Sequence, residues 1–176
     1  MTKSEKSGRQ PCPRLLDYFD RIYVINLPAR TDRKRETDEQ LARIGLGFQH
    51  PRVSLFAAIR PQEPGGFDSI GARGCFSSHL EVLRDAQRRG LNRILIFEDD
   101  LEFAPDFAQR GPRIIEALGK RHWNVFYGGY ASDTALGRAD ANELSVIEPA
   151  QGVRTTHFLG VQMPAIESWF DSWKPC

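Results

Sequence analysis

Three consecutive carboxylates, Glu98-Asp99-Asp100, follow directly on the apolar run RILIF at residues 93–97. Side by side they repel one another and resist burial. A hard divalent cation relieves that repulsion, because Mg²⁺ and Mn²⁺ prefer carboxylate oxygens and share them with substrate phosphates. Alternate residues at a strand end point the same way, so Glu98 and Asp100 are expected to face one site together. The competing reading is a solvated acidic loop in which Asp99 or Asp100 caps the next helix, and the tripeptide alone does not separate the two.

Two other segments carry similar chemistry. Arg30, Asp32 and Arg33 follow the run INLP. Arginine forks bind diphosphates through paired hydrogen bonds, and a carboxylate such as Asp32 accepts from a ribose hydroxyl or a base edge. Taken without context, a charged first turn of a solvated helix is the better explanation of them. Gly71-Ala72-Arg73-Gly74-Cys75 runs into Ser77-Ser78-His79. Glycines permit close backbone approach, and a helix N-terminus offers free N–H groups to a phosphate. The plainer account is a turn and a capped helix, with His79 hydrogen-bonded inside the fold and Cys75 a packed thiol. Tyr127-Gly128-Gly129-Tyr130 reads as a strand end and turn, His157 as a core histidine, and Trp169 with Trp173 as one face of a helix.

The elements that must position these residues are legible around them. RIYVINL at 21–27 reads as a buried strand stopped by Pro28. Residues 30–44 read as an exposed helix with Leu41 and Ile44 on its inner face and Gly45 as its stop. RVSLFAA at 52–58 is a short strand, and a Pro- and Gly-rich loop follows. Ser78 and Glu81 form an S-x-x-E capping pattern, which predicts a helix starting near Ser78 and ending at Gly90. Residues 93–97, nearly all apolar, predict a central strand. A helix over 105–119 and a strand over 123–127 follow, with weaker strand signals at 144–148 and 155–162 and a helical signal at 165–173. Residues 1–13 read as a loose polar tail, and 14–176 as one domain. Strands alternating with helices predict an α/β fold with a largely parallel sheet, whose ligands bind beyond the carboxyl ends of the strands.

Composition narrows the function classes. The 176 residues carry a net charge of +1, which argues against nucleic-acid binding. The first third is basic and the middle acidic, a split compatible with one site for a phosphate and its metal, although solvated helix faces account better for most of these residues. Cys12, Cys75 and Cys176 are odd in number and show no C-x-x-C, against a disulfide framework or a zinc site and in favour of a reducing, cytoplasmic setting. The N-terminus lacks a signal peptide's apolar core, and no window reaches the length of a membrane span, although peripheral attachment stays compatible.

In order and spacing, YVINLPARTDR, RVSLFAA, GARGCFSSHLEVLRDA and ILIFEDDLEF resemble glycosyltransferase family 25, the lipopolysaccharide-biosynthesis galactosyltransferases related to collagen galactosyltransferases. The likeness covers residues 21–105 well and 123–165 loosely. It implies a GT-A-like fold with a Rossmann-like sheet, a UDP-sugar donor, usually UDP-galactose, and a saccharide or glycolipid acceptor. It implies that Glu98-Asp99-Asp100 stands for a D-x-D-type motif, with Asp100 the Mn²⁺ (or Mg²⁺) ligand, Asp99 and Asp100 catalytic, and Glu98 or Asp99 toward ribose or sugar. Arg30, Asp32 and Arg33 would then lie near the nucleotide, and Arg73, Ser78 and His79 would border the donor site. His157-Phe158 stands where the family has a T-x-x-Y stretch, and family members commonly continue into an acceptor region beyond what is present here. The reaction this implies is hexosyl transfer with inversion, which needs a base for the acceptor proton. Asp133 is one candidate. The alternative is a catalytically degenerate sugar-nucleotide-binding module. ILIFEDD also resembles the acidic strand end of a response-regulator receiver. There the acidic pair follows the first strand and a lysine follows a later one; here only Lys120 and Lys174 lie downstream.

Overall fold

A computed structural model describes residues 13–132, 144–147, 153–154, 156–163 and 166. Within them the chain forms α1 (Pro13–Tyr18), β1 (Arg21–Asn26), α2 (Thr31–Arg43), β2 (Val53–Ala57), α3 (Ile70–Arg88), β3 (Arg93–Glu98), α4 (Phe107–Gly119), β4 (Val125–Tyr127), β5 (Ala131–Ser132), β6 (Val153–Arg154) and β7 (Phe158–Gln162). Five strands make one sheet in the order β2-β1-β3-β7-β4, and β5 pairs with β6 separately.

β1 pairs in parallel with β2 and with β3, while β7 is antiparallel to both β3 and β4. Four of the five strands therefore run the same way and β7 alone is reversed. The expected parallel arrangement holds for β2, β1 and β3, and the reversed β7 makes the sheet mixed at its C-terminal half. β3 is central, as its apolar run predicts.

Both faces of the sheet are covered, which explains runs without polar alternation. On one face Ile22, Val24, Leu95 and Phe97 pack with Leu15, Phe19, Leu41 and Leu118. On the other, Tyr23, Ile25, Ile94 and Ile96 pack with Val82 and Ala86 of α3. Phe158, at the start of β7, gathers an aromatic cluster, with ring centroids 4.7 Å from Phe97 and 6.0 Å from Phe126.

Several boundaries differ from the sequence reading. Pro13 opens α1 rather than ending a tail, and residues 1–12 lie outside the described ones. α3 begins at Ile70, not near Ser78: Ser69 is the N-cap and its Oγ accepts from Ala72 N at 3.0 Å. The S-x-x-E pattern is thus mid-helix, where Ser78 donates to Gly74 O at 2.7 Å and Glu81 pairs with Arg84 instead of capping. Gly45 and Gly90 end α2 and α3 in the left-handed conformation, at φ 75° and 63°, as anticipated. Residues 144–147 form no strand. The weaker signal at 155–162 becomes β7, a full member of the sheet. Trp169 and Trp173 lie outside the described residues.

Candidate functional site

Asn26 ends β1 and Glu98 ends β3, and the parallel register sets Ile25 beside Glu98. The acidic run therefore leaves the sheet at its carboxyl edge, next to the loop that leads into α2. There the three carboxylates diverge.

Asp99 turns toward β1 and α2. Its Oδ2 accepts from Asn26 Nδ2 at 2.8 Å and its Oδ1 accepts from Arg33 Nη1 at 2.9 Å. Asn26 is buried and also donates to Arg30 O at 3.2 Å. Buried Thr37 Oγ1 lies 2.9 Å from Arg33 O and 3.2 Å from Asp99 O. Both Asp99 oxygens are thus committed to clamping the first turns of α2 against the ends of β1 and β3.

Asp100 is different. Its side chain is 55% exposed, and its contact with Arg33 Nη1 is a long 3.8 Å. Arg30 and Asp32 lie on the same loop and helix start, joined at 2.7 Å and exposed. The Arg30 guanidinium holds the Asp32 carboxyl well below the usual carboxylate range. Arg30, Asp32, Arg33, Asp99 and Asp100 thus form one polar margin on the carboxyl side of β1 and β3. No carboxylate of the run caps α4: its N-cap is Asp106, without a side-chain capping bond.

Glu98 turns toward α3 and β7. Its Oε1 accepts from Thr156 Oγ1 at 2.5 Å and lies 3.7 Å from His79 Nε2 and 3.8 Å from Cys75 Sγ. His79 Nδ1 is 3.0 Å from Cys75 O, and Cys75 Sγ is 3.7 Å from Thr156 Oγ1. Burial pushes the Cys75 thiol up, and the Glu98 carboxylate pushes it the same way. Cysteine and histidine four apart on α3 share a face, a spacing legible in the sequence. What the spacing does not reveal is that the end of β3 meets that face.

The remaining expected residues play other parts. Ser78 is buried, and besides donating to Gly74 O its Oγ accepts from Ile59 N at 2.8 Å, fastening α3 to the chain leaving β2. A Cβ on Gly74 would sit 2.7 Å from Ile59 O, so this glycine serves close helix packing. Arg73 donates to Glu63 O at 3.0 Å and thereby braces the Pro/Gly loop. Gly128 lies against the Phe158 ring, where a Cβ would meet ring carbons at 2.5 Å. Asp133 lies outside the described residues. No described helix is long and apolar enough to cross a membrane.

Comparison with known proteins bears on the same segment. Residues 69–140 match the family model described as Glycosyltransferase family 25 (LPS biosynthesis protein). This stretch holds α3, β3 and the whole acidic run. The chain is 28% identical over 129 residues to the "Inactive glycosyltransferase 25 family member 3" of Mus musculus, covering 63% of this chain and 22% of that protein. It is 29% identical over 153 residues to a "Glycosyltransferase 25 family member" of Drosophila melanogaster, covering 66% and 24%. Against the "Procollagen galactosyltransferase 1-B" of Xenopus laevis it is 25% identical over 154 residues, covering 77% and 24%. The chain spans about a quarter or less of the length of these relatives.

Proposed function

From its kinship with glycosyltransferase family 25, carried by residues 69–140, we propose that this chain is the donor-binding part of a glycosyltransferase that moves a hexose from a UDP-sugar to a saccharide hydroxyl. The observation that carries the reading is the polar margin at the carboxyl ends of β1 and β3, where α/β sheets bind ligands. Galactose is the first sugar to test, because the Xenopus relative is named a procollagen galactosyltransferase. A glycolipid acceptor of surface-glycan or lipopolysaccharide synthesis, reached from the cytoplasmic side by peripheral attachment, fits the family description. The fold is read accordingly as GT-A-like.

The donor chemistry of the margin fits a hard cation at Asp100. That carboxylate is exposed and only loosely engaged, as Mn²⁺ or Mg²⁺ requires when it keeps several waters and shares substrate phosphates. Asp99 fits the role less well, because the Arg33 guanidinium 2.9 Å from its Oδ1 opposes a second cation there. When bound, the cation neutralises the diphosphate leaving group. The chain's own part is positional and electrostatic: Asp99 fixes α2, and α2 presents Arg33 toward the margin. Arg30 would reach a nucleotide by exchanging its exposed partner Asp32 for a phosphate.

The test is UDP-hexose turnover with Mn²⁺ and an oligosaccharide acceptor. Asp100→Ala should lower metal-dependent UDP binding at least tenfold; unchanged binding removes Asp100 from the role. A second reading, a sugar-nucleotide-binding module without turnover, is favoured by the relative named inactive and by the commitment of Asp99. Calorimetric UDP binding with no turnover would select it.

A further inference from the structure

The cluster on the α3 side of Glu98 is independent of that reading. One donor atom each from Cys75, His79 and Glu98 lies within 4.8 Å of the other two. The orientation of His79 gives the cluster its meaning. A carbonyl oxygen only accepts, so the 3.0 Å contact with Cys75 O places the imidazole proton on Nδ1. In the neutral ring that leaves Nε2 as the atom with a lone pair for a ligand. That atom is buried, has no hydrogen-bond partner, and lies 3.7 Å from Glu98 Oε1. A buried ring nitrogen without a hydrogen-bond partner calls for an explanation, and a cation seated between it and the Glu98 carboxylate would bond to both.

From this geometry we infer that Cys75, His79 and Glu98 form a binding site for a borderline-soft divalent cation, Zn²⁺ foremost. Thiolate, imidazole and carboxylate are zinc's three protein ligand types, whereas Mn²⁺ and Mg²⁺ favour oxygen alone. Ligand atoms around tetrahedral zinc stand roughly 3.3–3.6 Å apart, from bond lengths of about 2.0–2.3 Å. The Glu98 contacts at 3.7 and 3.8 Å need to shorten by only a few tenths of an ångström. The outer contacts are those of a metal site: His79 Nδ1–H is held by a backbone carbonyl and the Glu98 oxygen by Thr156. On binding, Cys75 releases its thiol proton to solvent and coordinates as thiolate. Three protein ligands leave a fourth position for water or an anion.

The experiment is a Co²⁺ titration of the full chain carrying Cys12→Ser and Cys176→Ser, so that Cys75 is the sole thiol. The expected result is one Co²⁺ per chain with a thiolate-to-cobalt charge-transfer band, displaced by one Zn²⁺. Cys75→Ser should abolish the band while circular dichroism stays native. His79→Ala and Glu98→Gln should weaken Zn²⁺ binding at least tenfold, and Asp100→Ala should change it less than twofold. Absence of the band in the parent overturns the site, as does an Asp100→Ala loss as large as that of His79→Ala. Neither result depends on UDP or on turnover, so this site and the donor reading fail separately.

Discussion

Asp99 and Asp100 are chemically alike and adjacent, yet the structure predicts opposite consequences for their removal. Asp99→Ala takes the partner from Asn26 Nδ2, which is buried and keeps only the longer bond to Arg30 O. A hydrogen bond to a charged group contributes about 1.5–3 kcal/mol. The Arg33 contact adds under about 1 kcal/mol, since Arg33 is 36% exposed and water replaces the carboxylate. The expected loss is about 2–3 kcal/mol, read as a lower urea midpoint at constant slope. Asp99→Asn should cost nearly as much. It retains one acceptor, and its amide N–H₂ must face a donor, either Asn26 Nδ2 or Arg33 Nη1. Asp100→Ala should stay within about 0.5 kcal/mol of the parent, as an exposed carboxylate with one long contact. Near-parental stability of Asp99→Asn would refute the claim that both Asp99 oxygens act as acceptors. A loss in Asp100→Ala matching that of Asp99→Ala would refute the division of labour.

Other outcomes follow from geometry already described. Gly74→Ala should destabilise by about 1–3 kcal/mol, because the overlap with Ile59 O outweighs the gain in helix propensity of about 1 kcal/mol. Gly71→Ala, whose Cβ meets only Ser69 Oγ at 3.6 Å, should be neutral or stabilising in the same urea assay. Phe158→Ala should cost about 3–5 kcal/mol and abolish cooperative near-ultraviolet melting, since it empties the centre of the aromatic cluster. Burial, then the 2.8 Å hydrogen bond to Asp85, push the Tyr23 phenol up. A phenol raised in the folded state contributes stability that is complete below its unfolded value near 10 and lost as pH rises above it. Urea midpoints should therefore fall from about pH 10 upward, and Tyr23→Phe should flatten that fall; an unchanged slope would dismiss the assignment.

The parts of the fold most legible in the sequence are those where one rule acts alone. β1 and β3 are apolar throughout because both faces of the sheet are covered. α2 and α3 stop where Gly45 and Gly90 supply positive φ. β7 is faint because Gly160 interrupts its pattern, yet that glycine lets Phe126 and Leu95 approach, with Cβ contacts of 3.2 and 3.4 Å. The start of α3 is misread because Ser78 and Glu81 imitate a capping box, while the true cap, Ser69, has no acidic residue three places on. Within the site, strand-end alternation suggests Glu98 and Asp100 side by side. The chain's turn after β3 sends Glu98 to α3 and leaves Asp100 in solvent. Asp99's role is invisible locally because Asn26 stands 73 residues away, and Cys75 and His79 are individually unremarkable until Glu98 reaches them from β3.

The reversed strand has a consequence for how the molecule is made. Among the described strands β7 is the last to leave the ribosome, yet it lies between β3 and β4, so this sheet cannot close until residues 158–162 have emerged. Until then β3, the most apolar segment of the chain, offers an open edge of unpaired backbone groups, the kind that recruits strands from other molecules. Thr156, two residues before β7, brings the hydroxyl that engages Glu98. The same late event that seals the sheet therefore finishes the Glu98 site, and a nascent chain interrupted before it would be both sticky and incomplete.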